Sequence, residues 1–65
     1  MKILVNGDSR ELSAQSVALA LSELGLADAV VATALNGEFI PASARPATMI
    51  RDGDRLEVLA PMQGG

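Results

Sequence analysis

The sequence predicts an α+β domain in which one helix lies across one face of a small mixed sheet. Asn6-Gly7 and Asn36-Gly37 each sit between strand-like runs, a strong short-range sign of a β-hairpin. Between the hairpins a single stretch repeats apolar residues at helical spacing, and after them Arg55 to Ala60 alternates polar and apolar. A lone helix covers only one side of a sheet, so these elements make two layers.

Met1 to Val5 is apolar and β-branched, and Asn6-Gly7-Asp8 tolerates positive φ, so the first strand turns into a second near Ser9 to Leu12. Ser16 supplies a hydroxyl N-cap, and Val17, Ala20, Leu21 and Leu24 follow at the spacing of one helix face. Gly25 stops the helix, since glycine takes the left-handed position after a helix end without a Cβ penalty, and Leu26 then folds back on Leu21. Val30 to Leu35 reads as a third strand and Phe39-Ile40 as a short fourth that Pro41 closes.

A two-residue turn at Asn36-Gly37 would pair Leu35 with Glu38 and aim a carboxylate at the core, so a four-residue loop pairing Leu35 with Ile40 is expected. Ala42 to Thr48 contains Pro46 and no period, which predicts irregular or 3₁₀ structure. Arg51-Asp52-Gly53-Asp54 is a turn, and Arg55 to Ala60 is the last strand, with Leu56, Val58 and Ala60 inward. Pro61 removes a ladder donor and ends that strand. Residues 1–60 are therefore read as the folded domain and residues 61–65 as a flexible tail.

Composition narrows the function. A chain of 65 residues supports one thin-cored domain, because at this size only about 60% of the unfolded surface is buried. Without Cys there are no disulfides or thiolate metal sites. Without His the commonest general base near neutral pH is missing, along with Ser-His and Cys-His nucleophile pairs. An autonomous hydrolase or transferase is disfavoured, and no cofactor is implied. The net charge of -3 opposes a nucleic-acid partner, which needs a clustered basic face.

The apolar run Ile3-Leu4-Val5 is too short for a signal peptide, and no later run approaches the roughly 20 residues of a membrane span. A soluble, cytoplasmic protein is expected, with no membrane partner. Asp52 and Asp54 lack the further oxygens that a cation needs and read as turn residues. No metal site is predicted.

In this order and spacing, the opening hairpin, the helix after Ser16, Ala34-Leu35-Asn36-Gly37, Ile40-Pro41, Asp52-Gly53-Asp54, Leu56-Glu57-Val58 and the final Gly64-Gly65 form a pattern. It resembles the ThiS-type sulfur carriers of thiamin biosynthesis, over the whole chain. The resemblance implies a ubiquitin-like β-grasp fold and a carrier role rather than an enzyme. A ThiF-like adenylating enzyme would activate the carboxylate of Gly65, a sulfur donor protein would convert it to a thiocarboxylate, and a thiazole synthase would take the sulfur. The chain departs from the pattern at Ala42, where many members have Arg, and at Arg45, where they have an aromatic.

The tail fits that chemistry on physical grounds as well. Gly64-Gly65 has no Cβ and can enter a channel too narrow for side chains, with Met62 and Gln63 leading into it. Residues 61–65 reach at most about 17 Å when extended. Leu4 and Leu59 fall on the sheet face opposite Ile3, Val5, Leu56 and Val58. With Met62 they are expected to form a partner-binding patch. Two other readings keep the same fold: the sulfur carrier of molybdopterin synthesis, whose chains are commonly longer, and a β-grasp interaction module that undergoes no chemistry.

Overall fold

The computed structural model describes residues 1–60. Its elements run β1 (Lys2–Val5), β2 (Asp8–Glu11), α1 (Val17–Glu23), β3 (Ala32–Leu35), β4 (Glu38–Ile40), a 3₁₀ segment (Ala42–Ala47) and β5 (Arg55–Leu59). The strands form one mixed sheet in the order β2-β1-β5-β3-β4. β5 lies at its centre, parallel to β1 and antiparallel to β3. The α+β reading holds: α1 packs on one face, and the core is built from Ile3, Val5, Leu12, Ala14, Val17, Ala20, Leu21, Ile50, Leu56 and Val58.

The helix ends follow the sequence. Ser16 is the N-cap, its hydroxyl accepting from the Leu19 N–H at 3.2 Å. At the other end Gly25 has φ +79°, the Leu26 N–H donates to the Leu21 carbonyl at 2.7 Å and the Gly25 N–H to Ser22 at 3.0 Å. Those two bonds are the paired closure of a Schellman ending. The residues after Pro41, expected to be irregular or 3₁₀, form a 3₁₀ segment with Pro46 inside it.

Three expectations are corrected. The second hairpin turns on Asn36 and Gly37 alone, pairing Leu35 with Glu38, Ala34 with Phe39 and Thr33 with Ile40. Asn36 at φ +52° and Gly37 at +85° supply the two left-handed residues of a type I′ turn, whose twist matches the sheet. The carboxylate objection fails because Glu38 opens an edge strand and is exposed. Asn6 and Gly7 make the same turn in the first hairpin, so β2 starts at Asp8, opposite Val5.

The third strand begins at Ala32 rather than Val30, which is 80% exposed. Ala60 was expected inward, but β5 stops at Leu59 and Ala60 is exposed, at the rim of an open surface hollow that it lines with Leu24, Leu26 and Val31. Leu56 and Val58 are buried as expected.

Candidate functional site

The residues of the expected reactive end, Met62, Gln63, Gly64 and Gly65, lie outside the described residues. Their anchor, β5, is described in full. On the β3 side it pairs from Leu35 opposite Leu56 to Ala32 opposite Leu59. On the β1 side regular pairing covers only Leu4 with Arg55 and Val5 with Leu56, because β1 turns away at Asn6.

Two asparagine side chains complete what the backbone leaves open. The Asn6 Oδ1 accepts from the Val58 N–H at 2.8 Å, and its Nδ2 donates to the Val58 carbonyl at 3.0 Å. At the opposite end of the strand, the Asn36 Oδ1 accepts from the Arg55 N–H at 2.9 Å and its Nδ2 donates to Asp54 Oδ1 at 3.0 Å. Sequence reasoning assigned both asparagines to turns only. The missed signal is that glycine would satisfy the positive φ equally well, whereas a carboxamide also offers a donor and an acceptor.

The predicted partner-binding leucines are both exposed, Leu4 at 37% and Leu59 at 65%. They share the sheet face away from the helix without adjoining each other. Leu4 is level with Arg55, and Leu59 lies about 13 Å further along β5 at roughly 3.3 Å per residue. Leu59 instead meets the other half of the sheet, where a shallow depression is lined by Ala32, Ala34, Phe39, Glu57 and Leu59. Phe39 is 65% exposed and was not assigned to this face from sequence. Its signal was the alternation with inward Ile40.

The carboxylates of the Asp-Gly-Asp turn are engaged by backbone. Asp52 Oδ1 accepts from the Lys2 N–H and Asp54 Oδ2 from the Arg51 N–H, both at 2.7 Å. Among the described residues no group of three or more His, Cys, Asp or Glu side chains is placed to hold a metal ion, and no helix is long and apolar enough to cross a membrane. Arg45 turns inward: its Nε donates to Thr33 Oγ1 at 3.0 Å and its Nη2 to the Val31 carbonyl at 2.6 Å. It staples the 3₁₀ segment to β3, while Ala42 opens that segment and is exposed.

A family model described as the ThiS family matches residues 3–65, which takes in all of β1 but Lys2, every later strand, the helix and the terminal glycines. The chain belongs to the ThiS family. It is 38% identical to the sulfur carrier protein ThiS of Thermus thermophilus, over 97% of this chain and 98% of that protein. It is 39% identical to a thiazole synthase of Paramagnetospirillum magneticum, aligned over all of this chain but spanning only 20% of that longer protein. A crystal structure of the thiamine biosynthesis protein ThiS from Geobacter metallireducens superposes with a TM-score of 0.83 at 40% identity, covering 100% of both chains. The β-grasp fold is thereby established. A ThiS-type sulfur carrier is not itself an enzyme.

Proposed function

We propose that this chain carries sulfur on the terminal carboxylate of Gly65 for assembly of the thiazole of thiamin. The observation that carries the reading is the extent of the family match, which continues past β5 to residue 65 and so includes Gly64-Gly65. Support for the thiazole destination comes from relatives named as a sulfur carrier ThiS and as a thiazole synthase.

The chemistry begins when a ThiF-like enzyme binds the carrier. A carboxylate oxygen of Gly65 attacks the α-phosphorus of ATP, the bond to the β-phosphate oxygen breaks, and pyrophosphate leaves. The acyl-adenylate makes the carbonyl carbon electrophilic with AMP as leaving group. A sulfide-level sulfur from a donor protein then adds to that carbon, AMP departs with the bonding electrons, and a thiocarboxylate remains with no change of oxidation state. A thiazole synthase takes the sulfur into its substrate, and an oxygen from that substrate or from water replaces it on the acyl carbon, which regenerates the carboxylate. On this reading the carrier works in the cytoplasm, beside its ATP-dependent partner.

Docking is assigned to the sheet face that carries Leu59 and Leu4, extended by Phe39; Met62, named with them from the sequence, lies outside the described residues. Incubation with ATP, the adenylating partner and a sulfur source, followed by intact mass, tests the reading. The expected product gains the difference between one sulfur and one oxygen. If no adenylating partner produces that gain, the carrier reading is wrong.

A further inference from the structure

We propose that Asn6 is a positioning residue for the carrier end, acting through the backbone of Val58. The inference rests on the carrier reading above. The Leu56 carbonyl accepts from the Asn6 N–H at 3.0 Å, so the polar groups of Leu56, and two residues on those of Val58, point toward β1. At Val58 that neighbour is gone, because the chain has entered the Asn6-Gly7 turn. The Asn6 carboxamide occupies the place of the missing peptide unit, with its acceptor on the Val58 N–H and its donor on the Val58 carbonyl, at 2.8 and 3.0 Å. This two-pronged contact is the last hold on β5 from the β1 side among the described residues, three positions before Pro61. Beyond it β5 keeps only the pairing of Leu59 with Ala32 on the other side.

A strand held on both edges leaves the sheet in one direction, whereas a strand held on one edge can peel and swing. Activation requires the carboxylate to meet the α-phosphate in line, and an error of about 1 Å can cost on the order of a hundredfold in rate. Few residues meet both demands at position 6. Glycine accepts the φ of +51° but has no amide. Aspartate tolerates that φ but sets a carboxylate oxygen against the Val58 carbonyl.

Asn36 provides a matched comparison, with the same residue type, the same turn and a carboxamide on the same strand at Arg55, the end away from the exit. Asn6→Gly and Asn36→Gly are assayed with the adenylating partner and ATP by AMP release, and the Val58 and Leu59 amides are followed by hydrogen exchange. Asn6→Gly is expected to lower kcat by about tenfold or more, a larger factor than any rise in KM for the carrier, and to speed exchange at Val58 and Leu59. Asn36→Gly is expected to leave kcat and both amides as in wild type. Should Asn6→Gly fail to fold, Asn6→Asp is measured in its place, with the same loss expected. An unchanged kcat at position 6, or equal losses from both glycine variants, overturns the proposal. Wild type that is never activated removes the carrier reading instead, while the exchange rates still report whether Asn6 holds Val58.

Discussion

Leu21 reaches the core from the middle of the helix and is 4% exposed among Ile3, Val17, Leu56 and their neighbours. Leu21→Ala should cost about 2 to 5 kcal/mol through lost burial and a residual cavity. In a domain this small, whose whole stability is about 3 to 5 kcal/mol, urea denaturation should find the variant largely unfolded. A loss below about 0.5 kcal/mol would mean that this helix face is not the core face. The position of Leu21 was legible because apolar spacing encodes it directly. Arg45 was not legible, since a charged residue in a loop reads as solvent-facing. Its burial depends on Thr33, which is 2% exposed and whose hydroxyl donates to the Ile40 carbonyl at 2.8 Å while accepting from Arg45. That acceptor comes into reach only when β3 meets the 3₁₀ segment, a tertiary event without a local pattern. The same holds for Asn6 on Val58.

Elements with a strong local code were read correctly, as the single helix shows. Its seven residues are too few to be stable in isolation, so the Ser16 cap and the Gly25 ending matter more than in a long helix. A Cβ built on Gly25 meets nothing within 4 Å, so the cost of a side chain there is conformational rather than steric crowding. Gly25→Ala should destabilise by about 1 to 2 kcal/mol, which thermal unfolding should register as a drop of about 4 to 8 °C per kcal/mol. An unchanged melting temperature would mean that the left-handed ending does not limit stability. The second hairpin was misread because two rules conflicted: Asn-Gly favours a two-residue turn, and Glu38 opposed that register only if its side chain were buried. Burial depended on β4 being an edge strand, which sheet order decides and local sequence does not.

At the scale of the whole molecule, the proposed function assigns binding to the outer sheet face and chemistry to the carrier end. Leu59 is 65% exposed, so Leu59→Asp should leave the fold intact while weakening association with the adenylating partner. Calorimetry that returns the wild-type affinity would remove this face from the docking model. The chemistry is tested at the other site. An alanine added after Gly65 moves the reactive carboxylate by one residue length, and Gly64→Val adds a branched side chain where a narrow channel is proposed. Both variants should still dock but release no AMP and gain no sulfur by intact mass. Wild-type activation of the extended chain would refute the requirement for a fixed reach. The central place of β5 has a further consequence, for synthesis. Until Arg55 to Leu59 has been translated, β1–β2 and β3–β4 are two hairpins with no common sheet, each marginal by itself. A nascent chain stalled before Arg55 therefore has no fold to protect it from proteolysis, and the ribosome releases a foldable chain only after making the strand that joins its two hairpins.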